Sequence, residues 1–235
     1  MKKIEKVPEN IALIPDGNRR WARSHKLSFL QGYNKGVKKF IEFSEWCMQY
    51  GVKSITVWAL STENIKRPKQ EVETLFNIYR RAASDKNIIK RLHETKTRFV
   101  VVGKKALLPK DLIEKLKKVE EQTKKYKERI IYMLLGYGGR DDILYAVNQI
   151  AKESKKGRIR EIDYDSFKRY MISKDVPDID FVIRTSGEER LSGFMPWQAG
   201  YAELYFCKKY WPEFEKKDLE KALIEYSKRE RRFGR

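Results

Sequence analysis

Short apolar runs alternate with longer amphipathic stretches along this chain of 235 residues. The runs are four to seven residues long and rich in Ile, Val and aromatic residues, which is typical of strands buried on both faces of a sheet. They predict six strands, at residues 11–15, 54–60, 97–102, 130–135, 181–184 and 202–206.

The stretches between the runs have helical periodicity. Val72, Leu75, Phe76 and Tyr79, for example, recur at helical spacing with charged residues between them. Strands that alternate with helices predict an α/β fold: one domain over residues 1–235, with a mostly parallel central sheet of about six strands flanked by helices. The predicted helices cover residues 34–50, 69–93, 109–126, 140–154, 165–172 and 217–231.

The composition of the chain narrows the class of protein. Hydrophobic residues make up 41% and aromatic residues 12%, which excludes a disordered protein. The 52 Lys and Arg residues outnumber the 33 Asp and Glu residues, for a net charge of +19. This surplus favours a polyanionic partner: nucleic acid, an anionic membrane surface or a phosphorylated small molecule. Solvated helix faces in a lysine-rich protein explain the charge equally well.

Cysteine, histidine and long apolar runs are scarce. Cys47 and Cys207 lie among apolar neighbours, so we expect small core residues and no disulfide. Neither His25 nor His93 lies near a second ligand in the sequence, so we expect no zinc site. Without a run of about 18 apolar residues or an apolar segment after the start, we expect no membrane span and no signal peptide. A cytoplasmic protein that can associate with a membrane is the expectation.

The first predicted strand runs into Asp-Gly-Asn-Arg-Arg-Trp at residues 16–21. A strand, a glycine turn and a helix start present free N–H groups and a positive dipole end, which suit phosphate. Gly17 lets the backbone approach closely, and Arg20 can grip two phosphate oxygens. Asp16 would repel a diphosphate unless a cation such as Mg²⁺ lies between them. An ordinary Asp-Gly-Asn turn with solvated arginines remains an alternative.

Three further polar loops follow predicted strand ends. Ser61 and Thr62 begin one of them, where either could simply cap a helix. Arg184 and Arg190 belong to another, which suits a second anion site or a solvated loop. In such folds ligands bind outside the carboxyl ends of the strands, so all four loops should converge on one rim. Two arginine groups and one carboxylate fit two diphosphates better than one. The three loops are residues 61–68, 136–142 and 184–193.

Residues 14–22, Ile-Pro-Asp-Gly-Asn-Arg-Arg-Trp-Ala, resemble the signature of the cis-prenyltransferase family, which includes undecaprenyl diphosphate synthase. Other blocks of that family match in the same order over nearly the whole chain, so coincidence does not explain them. These blocks are Ser-Thr-Glu-Asn at 61–64, Arg-Pro at 67–68, Gly-Tyr-Gly-Gly-Arg at 136–140, Arg-Thr-Ser-Gly-Glu at 184–188, Arg-Leu-Ser at 190–192, Trp-Gln to Phe at 197–206, and Arg-Glu-Arg-Arg-Phe-Gly at 229–234.

The resemblance implies a site for each of two substrates, isopentenyl diphosphate and an allylic diphosphate of C10 to C20. The allylic tail would enter a hydrophobic tunnel between the sheet and the helices. The cradle for the allylic diphosphate would be Gly17, Asn18, Arg19, Arg20 and Trp21. Isopentenyl diphosphate would bind Arg184, Arg190, Leu191 and Ser192, and also Arg232 and Gly234, these two from a partner subunit. Further substrate contacts would come from Phe29, Tyr33, Ser61, Thr62, Glu63, Ile65 and Arg67.

The resemblance also implies the groups that act in the reaction. Mg²⁺ would be held by Asp16 and Glu203. Ser61 and Asn64 would lie near the proton that the condensing C5 unit loses. An amide is a poor base, so Asn64 would orient the reactants. The four residues expected to be catalytic are Asp16, Asn18, Ser61 and Asn64.

The expected activity is the addition of isopentenyl units to an allylic primer, giving a long-chain Z-polyprenyl diphosphate of the undecaprenyl type. We expect a homodimer that contacts the membrane peripherally at product release and does not bind nucleic acid. Three alternatives stay open: a noncatalytic partner subunit, an atypical member that makes a short-chain or branched product, and a basic RNA-binding protein.

The chain departs from the family's usual pattern at several positions. Phe29 and Tyr33 stand where an arginine and a histidine are common, which removes one phosphate contact and one imidazole. Ile65 replaces a frequent aromatic residue, Gly193 replaces a frequent asparagine, and Glu189 occupies a position that is sometimes histidine. These changes bear on allylic binding. They leave the metal carboxylates and the arginines of the isopentenyl site in place.

Overall fold

A computed structural model describes residues 4–159 and 161–230 of the chain. Within those residues the strands are β1 (Asn10–Ile14), β2 (Ser54–Ser61), β3 (Thr97–Val102), β4 (Arg129–Tyr137), β5 (Phe181–Arg184) and β6 (Glu203–Phe206). The α-helices are α1 (Asn18–Ser24), α2 (Phe29–Gln49), α3 (Lys69–Ser84), α4 (Lys86–Glu94), α5 (Lys110–Thr123), α6 (Gly139–Lys155), α7 (Tyr164–Tyr170) and α8 (Lys216–Ser227).

All six strands form one parallel sheet in the order β3-β4-β2-β1-β5-β6. β1 is central, with β2 on one side and β5 on the other. The strand order therefore reverses beside β1, and the carboxyl ends of β1 and β5 flank the point where ligands bind in such sheets. The predicted single α/β domain with a parallel sheet is confirmed.

Both faces of the central strand are buried. Residues 11–14 of β1 are at most 6% exposed, because helices cover the sheet on both sides. On the α2 side Phe43, fully buried, packs edge to face against Trp211 at 5.6 Å and Phe214 at 5.9 Å between ring centroids. Such pairs add to the stabilisation from burial itself. Cys47 belongs to the same cluster, and burial raises the pKa of its thiol.

The predicted helix over residues 69–93 is wrong as a single element. It is two helices, α3 and α4, separated at Asp85, whose backbone is extended at φ −76° and ψ 113°. The Asp85 carboxylate accepts hydrogen bonds from the backbone N–H groups of Asn87 and Ile88 at 2.8 and 3.3 Å. This side chain caps a new helix, which apolar periodicity alone does not reveal.

Helix α2 begins earlier than predicted. Ser28 and Gln31 form a capping box, in which the Ser28 hydroxyl accepts from the Gln31 N–H and the Gln31 amide oxygen accepts from the Ser28 N–H. Phe29 and Tyr33, which precede the predicted helix over 34–50, therefore lie in the first turns of α2. None of the helices in residues 4–159 and 161–230 has the length and apolar run that crossing a bilayer requires.

We expect Phe43→Ala to lower the free energy of unfolding by about 3–5 kcal/mol, because the two aromatic partners cannot collapse into the space. Leu144→Ala, at a side chain that is 60% exposed, should change it by less than about 0.5 kcal/mol. Urea unfolding followed by circular dichroism measures both. Equal effects would contradict the placement of Phe43 in the core.

Candidate functional site

The turn after β1 strongly favours glycine. Gly17 has φ 101°, in the left-handed region, and its N–H donates to the Asp16 carboxylate at 2.7 Å. A β-carbon at this position would lie 2.7 Å from a ring carbon of Tyr210 and 3.1 Å from the Ser186 hydroxyl. Gly17 thus turns the Asp16 carboxylate back over the strand end and starts α1.

Asn18 shapes this turn from inside. It is 8% exposed, and its amide nitrogen donates to the Pro15 carbonyl at 2.9 Å. Its amide oxygen fits against Gly36 of α2, where a β-carbon would approach it to 2.2 Å. The side chain thus ties the turn to the end of β1 and packs against α2, and its buried amide oxygen has no hydrogen-bond partner among the described residues.

Asp16 and Arg184 join the two central strands at their carboxyl ends. β1 and β5 align Ile14 with Arg184, and the Arg184 Nη2 donates to the Asp16 carboxylate at 3.0 Å. The Arg184 side chain is only 6% exposed, whereas that of Asp16 is 32% exposed. Arg184 also donates to the Ser192 hydroxyl at 3.0 Å and to the Arg190 carbonyl. Its Nε is buried and has no hydrogen-bond partner among the described residues.

Glu188 links the two arginine groups, and sequence reasoning did not assign it to the site. Its carboxylate accepts from Arg20 at 2.7 Å and from Arg190 at 2.5 Å. These hydrogen bonds, that from Arg20 first, lower the pKa of Glu188 below the usual range of a glutamate. Two signals were available: Glu188 ends the family block at 184–188, and it lies between Arg184 and Arg190 in a conspicuously charged loop.

The loop after β2 folds on itself beside this rim. The Ser61 hydroxyl accepts from the Asn64 N–H at 3.1 Å, and the Asn64 amide oxygen accepts from the Ser61 N–H at 3.4 Å. The N-cap residue of the short 3-10 helix Asn64–Lys66 is Glu63, so the helix cap by Ser61 or Thr62 that the alternative supposed is wrong, although the Ser61 hydroxyl accepts from the first N–H of that helix. Both side chains nevertheless lie on the wall of the cavity described below.

Tyr33 and Arg67 form a hydrogen bond that the sequence did not suggest. The Arg67 Nη1 donates to the Tyr33 hydroxyl at 3.2 Å, across the gap between α2 and the loop after β2. Tyr33 in turn packs on Phe29, with ring centroids 4.5 Å apart. Phe29 and Tyr33, the two positions where the chain departs from the usual Arg and His, thus pack together and position Arg67.

The rim opens into a cavity of about 860 Å³ between one face of the sheet and helices α2, α3, α4 and α5. Its middle is apolar, with Phe40 and Ile41 from α2 facing Val57 and Met133 from the sheet. The predicted site residues that line the cavity are Asp16, Gly17, Asn18, Arg19, Arg20, Tyr33, Ser61, Glu63, Asn64, Arg67, Arg184, Arg190 and Ser192.

Five other predicted site residues do not line the cavity: Trp21, Phe29, Thr62, Ile65 and Leu191. Trp21 stacks on His25 at 4.6 Å, and Leu191 packs against the core. Ile65 packs against a second core cluster, and the hydroxyl of Thr62 is buried. Arg232 and Gly234 fall outside the described residues.

Glu203 is far from Asp16 within one chain. It begins β6 and pairs in register with Phe181, which itself aligns with Ile11 of β1. Asp16 follows the carboxyl end of β1, so one carboxylate lies at the carboxyl ends of the strands and the other at their amino ends. The Glu203 carboxylate instead accepts from Arg229 at 2.8 Å. The two predicted metal ligands therefore do not share an ion in a single chain.

Comparison with known proteins decides the family. The family model described as putative undecaprenyl diphosphate synthase matches residues 14–234. The chain belongs to this family, the cis-prenyltransferases. Tritrans,polycis-undecaprenyl-diphosphate synthase (geranylgeranyl-diphosphate specific) from Methanopyrus kandleri is 46% identical over 98% of this chain and 86% of the relative. The protein of the same description from Pyrococcus horikoshii is 44% identical over 99% and 90%.

Solved structures agree with that assignment. Lavandulyl diphosphate synthase from Lavandula x intermedia, in complex with dimethylallyl diphosphate, has a TM-score of 0.93 and 32% identity over 97% of this chain and 99% of that chain. A probable undecaprenyl diphosphate synthase from Campylobacter jejuni has a TM-score of 0.80 and 27% identity over 98% and 100%. The cis-prenyltransferase fold is therefore shared over the full length of both.

Gly17→Ala is expected to lower the free energy of unfolding by roughly 1–3 kcal/mol, through left-handed strain and the clash with Tyr210. Gly51→Ala is the matched control, since Gly51 also has a positive φ of 82° but no atom within 4 Å of an added β-carbon. Thermal unfolding of both variants separates the clash from the backbone cost. A Gly17 variant no less stable than the Gly51 variant would refute the close approach to Tyr210.

Proposed function

We propose that this cis-prenyltransferase adds isopentenyl diphosphate units to an allylic diphosphate primer and releases a long-chain polyprenyl diphosphate. In each cycle the bond from the allylic carbon to its diphosphate breaks. A carbon–carbon bond to the isopentenyl unit forms, and that unit loses a proton. The observation that carries the proposal is the rim, where two arginine groups surround the Asp16 carboxylate at the mouth of an apolar cavity.

The allylic diphosphate is assigned to the side of Gly17, Arg19 and Arg20, and isopentenyl diphosphate to the side of Arg184, Arg190 and Ser192. Support for the second site comes from the buried Nε of Arg184, which has no partner among the described residues. A buried donor is costly to leave unpaired, and a phosphate oxygen is a suitable acceptor. The arginines would stabilise the diphosphate that leaves as the allylic carbon gains positive charge.

Mg²⁺ is assigned to Asp16, with the remaining ligands from diphosphate and water. The fit is chemical: Mg²⁺ is usually held by one or two carboxylates plus substrate phosphates, and Asp16 is a partly exposed carboxylate on the cavity wall. When bound, the ion supplies charge neutralisation to the leaving diphosphate. Glu203 remains a predicted metal ligand, but it would hold a different ion from the one that Asp16 of the same chain holds.

Ser61 and Asn64 are assigned to the proton transfer as orienting groups. Their reciprocal hydrogen bonds fix both side chains at the carboxyl end of β2, on the cavity wall. Since a neutral amide is a poor base, a diphosphate oxygen or a water molecule would accept the proton.

The growing chain is assigned to the apolar part of the cavity, which then acts as the predicted tunnel. Each methylene group removed from water there contributes about 0.8 kcal/mol, so elongation into it is favourable. A C20 primer and an undecaprenyl-type product are supported by the archaeal relatives, whose names specify geranylgeranyl diphosphate. A homodimer, a cytoplasmic location and membrane contact at product release belong to the same proposal.

A second candidate is a short-chain or branched product. It is favoured by the TM-score of 0.93 to lavandulyl diphosphate synthase, a structure that contains dimethylallyl diphosphate. Incubation with dimethylallyl diphosphate alone tests it, because a branched product would then form without isopentenyl diphosphate.

The main proposal is tested by incubation with Mg²⁺, labelled isopentenyl diphosphate and primers of C10, C15 and C20, followed by chromatography of the products. We expect long labelled chains, with the C20 primer used best. No elongation with any primer would refute the proposal.

Asp16→Asn should reduce turnover at least about 100-fold, since the amide keeps the shape of the side chain but loses the charge that holds the metal and one of the two oxygens that accept from Gly17 and Arg184. Asp178→Asn, which removes an exposed carboxylate paired with Lys168, should leave turnover unchanged. Steady-state kinetics with matched melting temperatures measure both. A mild effect at Asp16 would place the metal elsewhere.

Tyr33→Phe tests the role of the Tyr33–Arg67 hydrogen bond in primer binding. Losing the bond should raise the KM for the allylic primer about 5- to 10-fold, with kcat and the KM for isopentenyl diphosphate little changed. Tyr79→Phe is the control, because the Tyr79 hydroxyl bonds the Ala59 carbonyl in the same cavity and its loss should affect stability instead. If both KM values rise together, Tyr33 has only a structural role.

A further inference from the structure

The end of the cavity opposite the rim carries polar groups among its apolar residues. β2 has eight residues, so the wall of the cavity that it forms runs about 25 Å, from the carboxyl ends to the amino ends of the strands. Ser61 and Asn64 lie at the first end, and Lys53, Thr97 and Arg129 lie at the second, where strands begin. The apolar middle therefore ends in a second set of polar groups.

An ion pair joins two helices at this far end. The Arg91 Nε of α4 lies 2.5 Å from the Glu45 carboxylate of α2, and both residues line the cavity. The Glu45 side chain is 27% exposed and that of Arg91 is 53% exposed. Beside the pair, the Arg129 guanidinium donates to the Thr95 carbonyl at 2.9 Å.

Helix α4, which carries Arg91, is a separate piece of the cavity wall. The extended backbone at Asp85 disconnects it from α3. Ile88, Ile89 and Leu92 face the cavity along its inner side. The ion pair to Glu45 is thus a side-chain tie that holds this wall against α2 at the far end.

An apolar chain that grows along the cavity first passes the apolar middle and then reaches the Glu45–Arg91 ion pair. Along the middle it displaces water from apolar side chains, which is favourable. At the pair it would strip water from two charged groups and supply no hydrogen bond in return, which is unfavourable.

We propose that the Glu45–Arg91 ion pair is a specificity determinant that stops elongation and so limits the length of the product. The proposal rests on the function proposed above. The competing role is structural: a partly exposed pair that contributes only a little to the stability of α4. Product length distinguishes the two roles, because a merely structural pair would not change it.

The test is the product distribution of the Glu45→Ala, Arg91→Ala double variant, which removes both charges and leaves neither unpaired. We expect products longer by one or more five-carbon units than those of the unmodified enzyme. The matched control is the double variant Lys90→Ala, Glu94→Ala. It removes an exposed ion pair of the same helix, whose charged groups are 3.6 Å apart, and should leave product length unchanged.

The reversed pair, Glu45→Arg with Arg91→Glu, should restore the original length. Should the double alanine variant fail to fold by circular dichroism, Glu45→Gln with Arg91→Gln gives the same readout, because two amides remove both charges and still fill much of the space. Unchanged products in a folded pair variant, or equal lengthening by the Lys90–Glu94 control, would overturn the inference. Absence of elongation by the unmodified enzyme would instead refute the proposed function.

Discussion

The organisation of the rim depends on one buried guanidinium, that of Arg184. A charge that is only 6% exposed must be paired, and its partners come from both sides of the strand reversal. Asp16 reaches it from the turn after β1, while Ser192 and the Arg190 carbonyl reach it from the loop after β5. Satisfying this one group therefore fixes the relative position of two loops that are far apart in sequence.

Carboxylates neutralise the other cations of the rim in the same way. Glu188 lies between Arg20 and Arg190, and its lowered pKa keeps it charged. Without it, the guanidinium groups that suit two diphosphates would repel one another. Electrostatic stabilisation is most effective when the groups are already in place, and these contacts hold them there.

The parallel sheet explains why the two ends of the cavity differ. Residues that follow strands collect at the carboxyl ends of the strands, and residues that precede strands collect at their amino ends. The carboxyl ends have the turns around Asp16 and Asn64, and the amino ends have Lys53, Thr97 and Arg129. Between them the helices present an apolar face. The same geometry separates Glu203, which begins a strand, from Asp16, which follows one.

The sequence by itself determined the strands and most of the chemistry of the rim. Runs of Ile, Val and aromatic residues marked all six strands, with β3 and β5 at their observed bounds, because burial on both faces leaves a local signature. The loops after those strands could be assigned to one rim because parallel strands end together. The tertiary structure decided which side chains meet: Glu188 with two arginines, Tyr33 with Arg67, and Glu45 with Arg91. Those partners lie on different elements or depend on loop conformation, and the break at Asp85 depends on one capping side chain. Periodicity reports which face of an element is buried, but the packing of elements decides what that face touches.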